Sequence, residues 1–382
     1  MICDFFPTYG TKSVNTLANI LGERGHEVLV VSTSVGIKGE KLPSASKGQY
    51  KLIRVPSIPI FHLPYSITPK AKSHLLKIAH SFQPDIIHSH FIIYWLSLSS
   101  SIFKNRETPL IVTLHGLTLP QDVSSWPLQE AFKILYRTKA KDLVESSSHV
   151  LCVSKLVEEK FRSLYTDKSI SHSVIPIGID TESLDATVNI PSKKLQEVMN
   201  LGGKRVFIYL GRVVKDKGIF DLVRAFEYVR SLRDDVALVI VGDGDALRVL
   251  KEVGQNIPDL HIIGFQTDIG SYLSIGNVFV SPSYREGLST ALLEAMYFQL
   301  PFVTTMVGGV RDILDYGGFG WIVPKGSVDA LAKTLYDICD MSDIDLLEIG
   351  QKNKQVVLEN FTWNKIVGQL EIFYKKMKDD AT

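Results

Sequence analysis

Short apolar runs alternate along the chain with longer segments in which apolar residues recur at helical spacing. The runs in the first half are EVLVVSTS, PDIIHSHF, PLIVTLHG, HVLCVS and HSVIPIG, at residues 27–34, 84–91, 109–116, 149–154 and 172–178. Runs of this length fit buried strands, and each is followed by a helical segment or a turn. The alternation predicts a parallel sheet with crossover helices.

A second series of runs follows a polar stretch at residues 181–194, TESLDATVNIPSKK, which we interpret as an interdomain linker. These runs are RVFIYLG, ALVIVGDG, LHIIGF, NVFVSPS, PFVTTM and GWIVPKG, at residues 205–211, 237–244, 260–265, 277–283, 301–306 and 320–326. The predicted fold class is α/β, with two doubly wound Rossmann-like domains. Because such sheets bind ligands outside the carboxyl ends of their strands, a deep site is expected where two such ends face each other.

The beginning of the chain fits this pattern poorly. A strand of about five or six residues should precede the loop FFPTYG. Only Met1, Ile2 and Cys3 are there. We therefore expect either that the natural start lies several residues upstream or that this edge of the sheet is weakly formed.

Composition and charge argue against several classes of protein. The 382 residues are 45% hydrophobic and 22% charged, which is typical of a globular protein of two domains. The formal net charge of +1 gives no electrostatic reason to expect a nucleic-acid partner. Cys3, Cys152 and Cys339 have no CxxC or Cys/His spacing, which argues against a zinc site or a disulfide scaffold. No apolar run approaches roughly 18–20 residues and no signal peptide is recognised, so we expect a cytoplasmic protein.

The segment YREGLSTALLEAM places two carboxylates around a predicted helix start. Glu286 lies in a turn after the strand NVFVSPS, and Ser289 or Thr290 can cap a helix that contains Glu294. Unpaired backbone N–H groups at a helix N-terminus favour an anion such as a diphosphate. An amphipathic surface helix would also carry two glutamates, so this segment alone leaves both interpretations open.

The segment GRVVKDKG directly follows the strand RVFIYLG, so Arg212 and Lys217 project from a strand-to-helix loop at the same edge of the sheet as Glu286. Arg binds phosphate oxygens in bidentate fashion, and Lys supplies a mobile point charge. Two such cations are by themselves more typical of a solvated surface. Their place in the sheet that leads into Glu286 makes them candidates for binding a diphosphate.

Two other polar patterns have structural explanations. Asp243 and Asp245 in VGDGD resemble an acidic metal pair, but they follow a buried strand, where a turn is the better explanation. His88 and His90 in HSH have the period-two spacing of a strand end, which favours a structural role over catalysis.

Two basic amphipathic stretches are PKAKSHLLKIAHSF and EAFKILYRTKAKDL, at residues 69–82 and 130–143. They are typical of helices that rest on an anionic membrane presenting a lipid acceptor. Solvated surface helices have the same pattern, so the sequence leaves both interpretations open. If the helices rest on a membrane, the protein is peripheral at the inner face of the cell membrane.

Taken in order, the motifs resemble the retaining glycosyltransferases of family 4, which have the GT-B fold of two facing Rossmann-like domains. The motifs that carry the resemblance are FFPTYG, ERGHEV, DIIHSHF, TLHG, CVSKLVEEKF, VIPIGID, GRVVKDKG, VIVGDGD, IIGF, SPSYREGLSTALLEAM, PFVTTMVGGV, GWIVPKG and FTWNKIVGQLEIFYKKM. The resemblance implies an acceptor-binding domain at residues 1–185, joined by a C-terminal helix at 365–382 that crosses back to it. The donor-binding domain would be 195–362.

The resemblance also implies roles for individual residues. Arg212 and Lys217 would neutralise the donor diphosphate, which is also the leaving group. Glu294 would hold the ribose hydroxyls of the nucleotide, and Glu286 would face the transferred sugar. Backbone amides at the helix start would contact the sugar or phosphate, as would residues of the first domain. Ser289 and Thr290 would supply these amides. In the first domain, His115 would contact the sugar, and Gly10 and Thr11 would lie near the diphosphate.

The chain departs from the family pattern in two loops. Only Gly10 stands where the family usually has a Gly-Gly pair, which leaves the contacts of that loop open. The loop after PFVTTM continues as GGVRD, with Arg311 and Asp312, where the family usually has Gly-Gly-x-Pro-Glu.

The predicted function is the transfer of a hexose from a nucleotide diphosphate sugar to a lipid-linked or saccharide acceptor, with retention. The resemblance implies neither a cofactor nor a metal. Three alternatives are an enzyme with soluble products like sucrose or glycogen synthase, a nucleotide-sugar epimerase and a catalytically silent binding module. Arg212, Lys217, Glu286 and Glu294 argue against the last, because a module without catalysis does not need all four.

Overall fold

The computed structural model describes residues 1–4, 6, 12–36, 40–42, 48–60, 66–104, 107–119, 125–166 and 169–381. The chain divides into two compact units, one formed by Met1–Gly178 together with Trp363–Thr382 and the other by Ile179–Thr362. The first domain was predicted to run to residue 185, and the structure divides the chain after Gly178. The C-terminal segment belongs to the first unit.

The first unit is an α/β assembly with eight named strands and six helices before the C-terminal segment in the described part of the chain. The strands are β1 (Leu29–Thr33), β2 (Lys51–Val55), β3 (Ile58–Pro59), β4 (Ser66–Ile67), β5 (Ile87–His90), β6 (Leu110–Leu114), β7 (His149–Cys152) and β8 (His172–Val174). The helices are α1 (Lys12–Glu23), α2 (Ala71–Phe82), α3 (Trp95–Leu98), α4 (Trp126–Arg137), α5 (Lys139–Ser146) and α6 (Lys155–Leu164).

The main sheet of the first unit is parallel. Strands β5, β6, β7 and β8 pair in that order, and β1 pairs with β2. Ile2 joins the two parts, because it bridges Val31 of β1 on one side and Ser89 of β5 on the other. The start of the chain therefore lies between two strands and not at an edge of the sheet. It is weakly formed, as the second of the two expectations had it, since Ile2 makes isolated bridges and belongs to no named strand. Two short strands, β3 and β4, form a separate antiparallel pair.

The second unit contains the remaining named strands and helices. Its strands are β9 (Arg205–Leu210), β10 (Val236–Val241), β11 (Leu260–Gly264), β12 (Val278–Ser281), β13 (Phe302–Thr305) and β14 (Gly320–Val323). Its helices are α7 (Thr181–Asp185), α8 (Ser192–Val198), α9 (Ile219–Leu232), α10 (Leu247–Gly254), α11 (Ile269–Leu273), α12 (Thr290–Tyr297), α13 (Val310–Asp315), α14 (Val328–Cys339) and α15 (Asp343–Asn360). The last helix, α16 (Trp363–Asp379), packs in the first unit.

The six strands of the second unit form one parallel sheet in the order β11-β10-β9-β12-β13-β14. The chain winds outwards from β9 to β11 and then returns to start the other half at β12, beside β9. This is the order of a Rossmann fold, and its topological switch point lies between β9 and β12. All eleven strands predicted from the apolar runs are present.

The polar stretch interpreted as a linker is part of the second unit. It contains α7 and the start of α8. Asp180 caps α7, because its side chain accepts a hydrogen bond of 3.0 Å from Ser183 N. The hydroxyl of Ser271 accepts bonds of 2.9 Å from the backbone N–H groups of Asn189 and Ile190, which ties the stretch to α11.

Candidate functional site

Two loops meet at the switch point of the second sheet. The loop after β9 forms a short 3₁₀ helix at Lys215–Lys217, and the loop after β12 leads into α12. The backbone N–H of Tyr284 donates to the carbonyl of Asp216 at 2.9 Å, and the side chain of Arg285 pairs with that of Asp216. The hydroxyl of Tyr284 donates to Asp221 of α9 at 2.6 Å. The two loops are therefore held against each other at the edge where a doubly wound sheet binds its ligand.

Glycines make this close packing feasible. Gly218 has a φ of 67°, and a Cβ at that position would lie 2.1 Å from the carbonyl oxygen of Pro282. Gly308, in the loop after β13, has a φ of 52°, and its Cβ would lie 2.4 Å from the carbonyl oxygen of Gly287. A side chain at either position would push the loops apart.

Lys217 and Glu286 are brought together by these loops. The ammonium of Lys217 forms an ion pair with the carboxylate of Glu286, and the two side chains are only 15% and 14% exposed. The same Glu286 oxygen accepts a hydrogen bond of 3.1 Å from the buried hydroxyl of Ser283. The lysine predicted to bind phosphate and the glutamate predicted to face the sugar are thus in direct contact.

Arg212 is exposed, and its guanidinium has no side-chain partner among the residues that the structure describes. Its carbonyl oxygen accepts hydrogen bonds from the hydroxyl of Tyr209 at 2.7 Å and from Val214 N at 3.1 Å. Burial, together with the nearby charge of Glu286, raises the pKa of Tyr209, so its hydroxyl remains a donor. The backbone at Arg212 is therefore fixed while its cationic group remains accessible.

The start of α12 has the geometry expected of an anion-binding helix terminus. The Ser289 hydroxyl accepts a hydrogen bond of 3.3 Å from Leu292 N, and Thr290 is the first helical residue. This cap satisfies one of the free N–H groups at the helix start and leaves others available. Glu294 lies one turn further along and is buried, with 8% of its surface exposed.

His115 follows β6 in the first unit and belongs to a cluster of three histidines. His90 Nδ1 lies 3.0 Å from His115 Nε2, and the rings of His88 and His90 stack with centroids 4.2 Å apart. Burial lowers the pKa of His115 to about 4 and that of His88 to about 3, so both rings are neutral near neutral pH.

The other sequence predictions concern loops outside this arrangement. Gly10 and Thr11 lie outside the described residues. Asp243 forms a local turn, since its carboxylate accepts a hydrogen bond of 2.7 Å from Gly244 N. Among the described residues no group of three or more His, Cys, Asp or Glu side chains is arranged to hold a metal ion.

Sequence reasoning missed several residues that shape the site. Tyr209 supports Arg212, Ser283 contacts Glu286, and Tyr284 ties the two loops together. The signal for Tyr209 was present, because it is a polar-tipped aromatic residue in the buried run that leads into the cationic loop. The role of Ser283 depends on a contact that only the fold creates.

Comparison with known proteins identifies the family. Residues 10–183 match the family model described as Glycosyltransferase Family 4, and residues 192–356 match the one described as Glycosyl transferases group 1. The helices within the described ranges include none with the length and apolar composition needed to cross a bilayer.

Two relatives and one solved structure illustrate the similarity. The chain is 33% identical over 257 residues to the putative teichuronic acid biosynthesis glycosyltransferase TuaC of Bacillus subtilis, a match covering 66% of this chain and 60% of the relative. It is 26% identical over 314 residues to the UDP-Gal:alpha-D-GlcNAc-diphosphoundecaprenol alpha-1,3-galactosyltransferase of Escherichia coli, covering 79% and 78%. The structure of Anabaena HepE in complex with UDP superimposes with a TM-score of 0.77 at 17% identity, covering 98% of this chain and 99% of HepE.

The two family models together account for most of the chain, and the likeness to HepE extends over both units. The parallel sheets of the two units are those of Rossmann-like domains. The chain therefore belongs to glycosyltransferase family 4 and has the GT-B fold.

Proposed function

We propose that this glycosyltransferase transfers a hexose from a nucleoside diphosphate sugar to a lipid-linked or saccharide acceptor, with retention of anomeric configuration and without a metal ion. The observation that carries the proposal is the convergence of Arg212, Lys217 and the N-terminus of α12 at the switch point of the second sheet. A diphosphate bound there meets two cations and a helix terminus. HepE, which shares the fold, binds UDP and UDP-glucose.

The proposed chemistry is electrostatic. As the bond between sugar and diphosphate breaks, negative charge grows on the departing phosphate, and fixed cations and amides stabilise that charge. The exposed guanidinium of Arg212 and the position of Ser289 and Thr290 at the start of α12 support this role. When the donor binds, Lys217 either leaves Glu286 to contact the phosphate or contacts both groups at once. The carboxylate of Glu286 then lies beside the sugar.

The remaining assignments follow from the family resemblance. Glu294 holds the ribose hydroxyls, His115 contacts the transferred sugar, and Gly10 and Thr11 lie near the diphosphate. Since His115 is neutral near neutral pH, it acts as a hydrogen-bond donor or acceptor to a sugar hydroxyl. Retention then requires no covalent intermediate on Glu286: the bond from the anomeric carbon to the diphosphate breaks, the acceptor oxygen bonds to that carbon from the same face, and the leaving phosphate accepts the proton of the acceptor.

The acceptor part of the proposal is a lipid-linked or saccharide acceptor, and a lipid-linked one would be presented at a membrane surface. The galactosyltransferase of Escherichia coli acts on an undecaprenol-linked sugar, according to its name. In this chain, helix α4 exposes apolar side chains, with Trp126 71% and Ile134 63% exposed. Exposed Lys139 and Lys141 follow on α5. Apolar and cationic groups together favour an anionic membrane surface.

The first amphipathic stretch forms α2, and the second covers most of α4 and the start of α5. Of helices α2 and α4, only α4 leaves large apolar side chains exposed. In α2, Leu75 is 2% exposed, and the large side chains that face solvent include Lys72 and Lys77. The membrane proposal therefore rests on α4, and α2 is a surface helix with its apolar face in the core of the first unit.

The first test is a thermal shift screen without metal against UDP, GDP, ADP and their common sugar conjugates, for the wild type and Arg212→Ala. Ligand at about 100 times its Kd should stabilise the protein by roughly 2.7 kcal/mol. An increase in melting temperature with the nucleotides of one base supports the donor site, provided that Arg212→Ala does not show it. Turnover of the sugar nucleotide without acceptor would indicate an epimerase, and no shift with any nucleotide would contradict the proposal.

The identified donor then allows the finer points to be tested. Transfer to a lipid-linked saccharide in the presence of EDTA should continue at the normal rate, and the anomeric coupling of the product should match that of the donor. Inversion, or loss of activity with the chelator, would refute the corresponding part of the proposal.

A further inference from the structure

His90 is a buried residue that directly contacts the histidine assigned to the sugar. It ends β5, it is 1% exposed, and its Nδ1 lies 3.0 Å from Nε2 of His115 at the end of β6. The other ring nitrogen, Nε2 of His90, is buried and has no hydrogen-bond partner in the described part of the chain. The contact with His115 is therefore the one polar interaction of this imidazole within the described residues.

The two rings are neutral, so the contact links their tautomers. Burial lowers the pKa of both, and the causes of the shifts include no carboxylate. A hydrogen bond between two neutral imidazoles needs one N–H and one lone pair. The nitrogen that carries the proton in His90 therefore determines which nitrogen carries it in His115.

The unpartnered nitrogen of His90 favours one of the two arrangements. If His115 donated, the proton of His90 would lie on Nε2 and would be a buried N–H without an acceptor among the described residues, which folded proteins rarely contain. If His90 donates from Nδ1, its Nε2 presents only a lone pair. His115 then accepts at Nε2 and carries its own proton on Nδ1.

We propose that His90 is a positioning residue that donates from Nδ1 to His115, fixes its ring and leaves Nδ1–H of His115 as a donor to a substrate hydroxyl. The proposal rests on the proposed function, in which His115 contacts the transferred sugar. Phe91 supports the same orientation, since its ring centroid lies 4.8 Å from that of His115. His88 stacks on His90, with its own nitrogens bonded to Thr113 and Tyr374.

Three substitutions separate positioning from packing. In His90→Asn the amide nitrogen replaces Nδ1, whereas in His90→Gln it replaces Nε2, and His90→Leu removes both. We expect His90→Asn to retain transfer within a few-fold, and the other two to lose about ten-fold or more in kcat, the scale of one hydrogen bond. Binding of the nucleoside diphosphate should be unchanged in all three.

A matched control is His149→Leu. His149 lies on β7 of the same sheet and bonds only to Ser171 and Ser173 among the described residues. It should lose stability without losing transfer. Equal losses of kcat in His90→Asn and His90→Leu, or wild-type kcat in His90→Leu, would overturn the proposal.

Nitrogen-15 NMR of the histidine rings tests the geometry without any activity assay. The proposal expects the proton of His115 on Nδ1 in the wild type and in His90→Asn, and a mixture of tautomers in His90→Leu. A wild-type proton on Nε2 of His115 would overturn it. If the wild type transfers no sugar from any donor, the proposed function fails, while the NMR result still decides the tautomer.

Discussion

The side chains of Lys217 and Glu286 form an ion pair, although 69 positions separate them in the chain. The sequence predicts that they contact different parts of the donor, Lys217 the phosphate and Glu286 the sugar. Their contact means that the free protein satisfies both charges internally. A diphosphate must therefore compete with Glu286 for the ammonium.

This competition predicts opposite effects of Glu286→Gln on binding and on turnover. The substitution keeps the shape of the side chain and removes its charge, so Lys217 can bind a phosphate oxygen at lower cost. We expect tighter binding of the nucleoside diphosphate, measured by calorimetry, and a lower kcat for transfer. Weaker binding by Glu286→Gln would show that the ion pair helps to form the site.

Lys217→Ala is the counterpart on the other side of the pair. It removes a charge that the leaving group needs, and we expect it to lose about 2–4 kcal/mol of transition-state stabilisation. It also leaves a largely buried carboxylate without its cation, so its melting temperature should fall. Arg212→Ala is the control, because that side chain has no partner to lose in the described part of the chain. It should lose transfer with little change in melting temperature.

Ser289→Ala should lower both stability and activity. The hydroxyl caps α12 by accepting from Leu292 N, and such a cap contributes about 1 kcal/mol to the free energy of unfolding. Ser342 caps α15 in the same way and serves as the control, with a distance of 3.1 Å to Asp345 N. Chemical denaturation should show similar losses for the two alanine variants. A similar loss of donor binding in both would contradict a special role for the start of α12.

The buried histidines predict a loss of stability at mildly acidic pH. The pKa of His115 is about 4 in the folded protein and about 6.5 in the unfolded chain, so the unfolded chain binds the proton more tightly. The stabilising contribution is complete above about pH 6.5 and is lost as the pH falls towards 4. Melting temperatures measured across this range should fall less steeply in His115→Asn than in the wild type. Parallel curves would contradict the lowered pKa of His115.

Membrane binding through α4 can be measured with vesicles. Trp126→Ser combined with Ile134→Ser should weaken sedimentation with anionic vesicles, and added salt should weaken it further. Ile372→Ser is a suitable control, because Ile372 lies on α16 of the same unit and is 75% exposed. Equal binding by the double variant and the wild type would exclude α4 as the membrane-binding surface.

The predictable and unpredictable parts of the fold differ for a physical reason. Buried parallel strands are continuous apolar runs, so all eleven runs identified strands. Strand β2 was not predicted, because its exposed residues alternate with partly buried ones in KLIRV. An edge strand needs no continuous apolar run. For the site, the sequence places Arg212 and Glu286 at one edge of the sheet. Which side chains touch there depends on the tertiary fold, which a local sequence pattern does not encode.

The discontinuous first unit has a consequence for biosynthesis. Its core includes Trp363, Ile366, Val367 and Leu370 of α16, which pack with residues such as Phe6 and Leu17. These four side chains leave the ribosome only after the whole second unit, Ile179–Thr362, has been translated. We expect the second unit, whose chain is continuous, to complete its fold first, and the first unit to stay open to chaperones and proteases until the last helix docks.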